Sequence, residues 1–231
     1  MQRTVTWLAL PSVLLAIALY FLALPAAKLW LTKAGEYALG VVLDIDHIEL
    51  EYQPWPLLTS APAVLHLVGV EMANPPGFEA PGFMAIRRID VRFTPVFVRE
   101  NPMVISEVRL HGLSLNVERR ELVSNAGIIL TRLAEFDTRE SLFDLDKQFV
   151  IESVVLQDGA AQITHAPTLG PGGQLAVSFD DRPHYRIAKA DGGVGLTTLL
   201  YEVIDRVVSD ALVRVARDGE ARKELEASLL D

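Results

Sequence analysis

Five histidines, His47, His66, His111, His165 and His184, are the side chains here best suited to move protons or bind a metal near neutral pH. No two are two or four positions apart, so no pair has the local spacing that puts two imidazoles side by side on a strand or helix. They read as surface or strand-edge residues. The absence of Cys removes thiolate ligands and thiol nucleophiles. A serine nucleophile on a strand-to-helix elbow needs Gly-x-Ser-x-Gly; Gly112-Leu113-Ser114-Leu115-Asn116 lacks the second glycine, and Ser114 reads as a solvent-facing strand residue. The glycines of Gly170-Pro171-Gly172-Gly173 and of Gly192-Gly193-Val194-Gly195 have no following Lys-Ser/Thr to hold a phosphate, and read as turns. Asp44/Asp46 and Asp144/Asp146 are the carboxylate pairs available for acid–base work, and both read as solvated acids. The expectation is a non-enzymatic chain with no catalytic residue, no cofactor and no metal.

Composition narrows the class further. The 231 residues carry 21 Lys+Arg against 30 Asp+Glu, a net charge of −9, and 50% are hydrophobic. That much apolar material excludes a disordered chain. The acidic balance argues against a nucleic-acid partner, because phosphate contacts need clustered cations. The run Thr4 to Ala27 holds 24 residues without a charge. As a helix it would extend about 36 Å, enough for a hydrocarbon core of ~30 Å. Trp7 lies near one end of it and Trp30 just beyond the other, where amphipathic rings favour the interface. A cleaved leader is the alternative, but its apolar region spans only about 7–15 residues, and cleavage after Ala27 would put Pro25 in the minus-three position. The expected anchor is Thr4 to Leu31, with everything beyond it on one side.

The elements that follow come from periodicity. Lys28 to Val42 reads either as an amphipathic helix on the membrane surface, with Trp30, Leu31, Ala34, Ala38 and Val41 at helical spacing, or as a continuation of the anchor. Alternation predicts strands from His47, over Ala63 to Met72 and over Ala85 to Phe93, with the Pro/Gly-rich segment Asn74 to Phe83 as a rigid loop. Val104 to Leu110 and Leu113 to Arg119 read as two strands joined at His111-Gly112. Ser124 or Asn125 can cap a helix running through Phe136. Val104, Ile105, Val108 and Leu110 match Val150, Ile151, Val154 and Leu156 at a constant offset of 46, which suggests a repeated hairpin. Short strands follow, and then Leu196 to Ala216 shows a wide apolar helical face. Leu199, Val203, Val207 and Leu212 on that face are the candidate lipid- or core-facing residues.

The fold class expected is α+β: an N-terminal transmembrane helix, then a mostly antiparallel twisted β-sheet packed with one or two helices. The domains expected are an anchor (residues 1–31), a juxtamembrane segment (32–43), a β-rich domain (44–216) and a charged, fraying tail (217–231).

The order anchor, strands, Asn74-Pro75-Pro76-Gly77-Phe78, then Val104-Ile105, Val108, Leu110, Gly112 and Glu118, then Ser124-Asn125 and a helix resembles the AsmA-like proteins of the bacterial envelope. The resemblance covers roughly residues 1–215, and this chain would be a short, single-domain member. It implies an inner-membrane anchor with the body in the periplasm, no catalytic residues, and a role in envelope or outer-membrane assembly or in lipid contact. The motif residues it singles out are Asn74, Pro75, Gly77, Phe78, Ser124 and Asn125. Larger relatives are similar to bridge-like lipid-transfer proteins, whose sheet carries acyl chains on an apolar face; this chain lacks the strand array to cross a periplasm alone. Expected partners are the inner membrane, a lipid, or an envelope protein. The alternative is an anchored scaffold with a closed core and a protein partner.

Overall fold

The computed structural model describes residues 24–52, 61–95, 100–120, 123–139, 148–164, 174–179, 184–187 and 192–228. Helix α1 occupies residues 24–39. The strands and helices after it are β1 (Leu43–Glu51), β2 (Ala63–Ala73), β3 (Gly82–Phe93), β4 (Met103–Arg120), β5 (Val123–Ser124), α2 (Asn125–Arg139), β6 (Phe149–Gln157), β7 (Gly159–Thr164), β8 (Gln174–Phe179), β9 (His184–Ile187) and α3 (Leu196–Ser228). They form an α+β fold around one nine-stranded sheet, ordered β1-β2-β3-β4-β6-β9, with β7 beside the end of β4 and β8 beside β7. Three helices pack with it rather than one or two. Among the described residues no helix is long and apolar enough to cross a membrane, and residues 1–23 of the expected anchor lie outside them.

β1 to β4 is an antiparallel meander. β4 then pairs in parallel with β6 and, further along, with β7. The segment matched at an offset of 46 is therefore not a second hairpin. Val104, Ile105, Val108 and Leu110 are the cross-strand partners of Val150, Ile151, Val154 and Leu156, so the offset is the parallel register itself. Parallel neighbours need a long crossover, and here it contains β5 and α2.

Two further expectations are corrected. β4 is one 18-residue strand, not two strands joined at His111-Gly112. β1 begins at Leu43, before His47. Both errors have one cause. Ile45 and Ile48, Leu67 and Val70, Ile86 and Ile89, and Leu110 and Leu113 are each separated by two residues rather than one, and each of these positions belongs to or packs on the same core cluster. The slip falls on one row across the sheet. By register, Asp46 of β1 lies opposite Gly69, Gly69 opposite Arg87, Arg87 opposite Gly112, and Gly112 opposite Asp158. Gly69 (φ 63°), Gly112 (φ 62°) and Asp158 (φ 53°) are left-handed. Such residues break the up–down alternation of side chains, as in a β-bulge, and glycine adopts them without strain. The Asp46 side chain lies over Gly69 and the Arg87 side chain over Gly112, in space a Cβ would fill.

The helices cover the apolar face. Fully buried Ile129 and Leu133 hold α2 to the core, and Ser124 Oγ accepts the Gly127 N–H (3.0 Å) at its N-terminus, the expected cap. α3 packs on α2 and on β8. It continues past Ala216 to Ser228, so the expected domain boundary at 216/217 falls inside a helix. The Glu, Ala, Arg, Lys and Leu of that stretch are strong helix formers and outweigh Gly219. Of the stripe expected over Lys28 to Val42, Ala38 and Val41 are buried and Leu31 packs against the same cluster, whereas Trp30 is 47% exposed.

Candidate functional site

Two of the motif residues, Asn74 and Asn125, meet in a polar latch at the end of β4. Asn125, fully buried, uses its whole side-chain amide. Its Oδ1 accepts the N–H of Glu118 (3.0 Å) and of Ala126 (2.8 Å). Its Nδ2 donates to Asn116 O (2.7 Å) and to Asn74 Oδ1 (2.8 Å). Asn74 in turn donates from Nδ2 to Ala80 O (2.7 Å), closing the 74–80 loop on itself. The Glu118 carboxylate accepts the backbone N–H of Glu79 (2.8 Å) and Ala80 (3.0 Å), and Arg120 Nε approaches its other oxygen (3.0 Å). Burial pushes the Glu118 carboxyl up, but those backbone hydrogen bonds and Arg120 together outweigh it and hold the group below its ordinary value.

The latch fixes the Asn74–Phe83 segment as a structural loop by a route that sequence reasoning missed. Phe83 is fully buried but belongs to β3; Pro75 is buried and Phe78 only half-buried. Gly77 has positive φ, whereas Gly82 opens the strand without it. Backbone hydrogen bonds donated to Glu118, and one donated by Asn74, hold the loop. The signal available was Glu118 itself, the acid already singled out by the resemblance near the end of an alternating strand.

A second cluster sits on the polar face of β1–β4. Asp90 Oδ1 accepts from His66 Nδ1 (2.7 Å) and from Arg88 Nε, and Oδ2 from His111 Nε2 (3.0 Å). His66 Nε2 faces Glu51 Oε2 at 3.3 Å, and Arg88 Nη2 also approaches His66 Nδ1 (2.9 Å). Burial raises the Asp90 carboxyl, and the hydrogen bonds from His66, Arg88 and His111 outweigh it and hold the group below its ordinary value. His66 is buried, so the reading of the histidines as surface residues fails there. His66 and Asp90 are direct β2–β3 partners, and His111 of β4 pairs with Arg88 of β3. The spacing of 24 residues between His66 and Asp90 hides this, because register and not local sequence brings them together. One carboxylate ties three strands. Among the described residues no group of three or more His, Asp or Glu has the geometry to hold a metal. His165, Asp144 and Asp146 lie outside the described residues. Ser114 is exposed, as expected.

The candidate residues of α3 separate. Leu199 and Val207 are buried, Val203 packs against the core partly covered, and Leu212 is 45% exposed. A groove of about 940 Å³ runs between α1, α2 and the latched loop, bordered by Lys33, Tyr37, Val42, Pro76, Arg132 and Phe136. Tyr37 and Phe136 meet edge to face there, with ring centroids 5.5 Å apart.

Cover over the apolar face is uneven. Ile105, Val108, Ile151 and Val154 of β4 and β6 are buried. On β1–β3, beyond the row of Gly69 and Arg87, Leu50, Leu65, Leu67, Ile89 and Val91 are only half-buried. No protein-family model matches the chain, and no curated protein or solved structure matches it either.

Proposed function

We propose that this chain is a membrane-anchored, non-catalytic protein of the AsmA-like type, held in the inner membrane by residues 4–31 with its body in the periplasm, and that it contacts lipid. The observation that carries the reading is the half-buried patch Leu50, Leu65, Leu67, Ile89 and Val91. An apolar sheet face left partly uncovered at one corner suits acyl chains better than water. The order of elements adds support, since the uncharged run leads straight into α1. The polar clusters fit a binding body rather than an enzyme: Glu118 and Asn125 spend their hydrogen bonds on backbone and neighbouring side chains, and Asp90 spends its own on cross-strand ties.

The second reading, an anchored scaffold with a protein partner, draws on the continuous core in which Phe83, Ile129, Leu133 and Leu156 are fully buried. The two readings part on bound lipid. Full-length protein purified in mild detergent is expected to retain phospholipid, read by mass spectrometry of the extract, and Leu67→Glu is expected to lose it while staying folded. Retention no greater than that of an unrelated single-span protein would favour the scaffold.

A further inference from the structure

Helix α1 carries apolar residues on both of its sides. Its inner side, with Leu31, Ala38 and Leu39, packs into the core. Its outer side exposes Leu29 (63%), Trp30 (47%) and Tyr37 (56%), and Val42, just past the helix, is 63% exposed. Residues 26, 29, 30, 33 and 37 recur at three- and four-residue steps and form one exposed stripe. Single exposed apolar residues need no explanation. Here, however, four of the eight large hydrophobic side chains that stand exposed among the described residues fall within 14 positions. A helix apolar on both sides is built to be covered on both.

Two observations say what covers the outer side. The last residues of the uncharged run Thr4 to Ala27 form the first turn of this helix, so the proposed anchor and the helix share one stretch of sequence. The one charge within the stripe is Lys33, a long side chain with its ammonium exposed and 2.6 Å from Glu36, at the border of the groove that also takes in Tyr37 and Val42. Tryptophan, tyrosine and a lysine among leucine and valine is the composition that settles at the depth of lipid headgroups, where rings and stems are apolar and their tips wet.

We infer that the outer face of α1, from Leu29 to Val42, is a bilayer-interface footprint that lays the body side-on against the membrane surface, with the α1–α2 groove along the lipid headgroups. The inference rests on the anchor reading, and adds an orientation to it. Residues 29 to 42 would extend about 20 Å as helix. If α1 simply continued upright from a membrane span, Tyr37 and Val42 would stand in water well above Leu29.

The chain has no cysteine, so single labels are clean. Leu29→Cys, Tyr37→Cys, Val42→Cys, Val123→Cys and Leu212→Cys in the full chain, each spin-labelled and reconstituted in vesicles of phosphatidylethanolamine and phosphatidylglycerol, report contact with lipid-soluble oxygen against a water-soluble nickel chelate. All five positions are exposed or border the groove, so the labels should not perturb the core. Labels at 29, 37 and 42 are expected to favour oxygen, and labels at 123 and 212 to favour nickel. Nickel preference at 37 and 42 in a chain that floats with the vesicles overturns the footprint and leaves the anchor standing. Shielding of 37 and 42 from both reagents would mean a protein covers the face, and also overturns it. A chain that does not float with vesicles overturns the anchor reading, and the footprint with it.

Discussion

The strands β1 to β3 contribute two stretches of apolar face that differ in fate. On the near side of the Gly69–Arg87 row, Leu43, Ile45, Val70, Met72 and Ile86 are buried in the core that the helices cover. On the far side, Ile48 is buried but Leu50, Leu65, Leu67, Ile89 and Val91 stay half-buried. The backing differs as well. The near part ends in the Asn125–Glu118 latch, whose donors are amides and the Arg120 guanidinium; the far part is tied across its polar face by Asp90, whose donors include two histidines. The near part commits its apolar area to the core, whereas the far part leaves some of it partly exposed, the area on which the proposed lipid contact rests.

The seal over the near part is the place to strike hardest. Val207→Asp puts a carboxylate at a 2%-exposed position where α3 meets the core. The cost expected is several kcal/mol, enough to abolish cooperative unfolding in urea. A variant that unfolds like the parent would mean α3 seals nothing. Next comes a matched pair across the row. Phe83→Ala removes a fully buried ring and is expected to cost about 3–5 kcal/mol. Leu67→Ala, half-buried, is expected to cost about 1 kcal/mol. Equal losses in urea titrations of the two would erase the distinction between near and far.

How much of this was legible follows from where local pattern stops. The alternation of Ile89, Val91 and Phe93 against Arg88, Asp90 and Arg92, the cap at Ser124 and the buried spacing of Leu199 to Val207 are local facts, and each appears in the structure. The start of β1 and the unity of β4 were hidden because a strand that crosses the row must slip its polar–apolar phase at Asp46-His47 and at His111-Gly112. Such a slip looks like a strand end or a turn. The parallel register of β4 and β6 was visible as an offset of 46, but sequence similarity does not say whether similar segments stack side by side or recur at a distance. The His66–Asp90–His111 cluster was invisible for the same reason: only the pairing of three strands assembles it.

Acid acts on both polar backings. Asp90 and Glu118 both sit below their ordinary carboxyl values in the folded chain. The unfolded chain therefore takes up protons first as pH drops, and the stability each group contributes is present above its unfolded value and lost as pH falls through the folded one. Unfolding free energy is expected to decline below roughly pH 4. Asp90→Asn and Glu118→Gln should each flatten that decline while lowering the plateau above it. A slope unchanged in both variants would assign the acid sensitivity to other carboxylates.

The smallest effect expected lies at the end of the seal. Leu212 shares the apolar stripe of α3 with Val207, one and a half turns further on, and pattern alone treats the two alike. Burial does not: Leu212 is 45% exposed, and Val213 beside it 48%. Leu212→Asp leaves its carboxylate in water, loses only partial contact, and is expected to shift stability by less than about 1 kcal/mol. Val207→Asp, one and a half turns back, would unfold the chain. Thermal unfolding of both variants locates the point along α3 where the core ends. A loss at Leu212 comparable to that at Val207 would mean that something covers this part of the helix in solution, and the reserve of uncovered apolar surface would then have to be counted on α3 as well as on β1–β3.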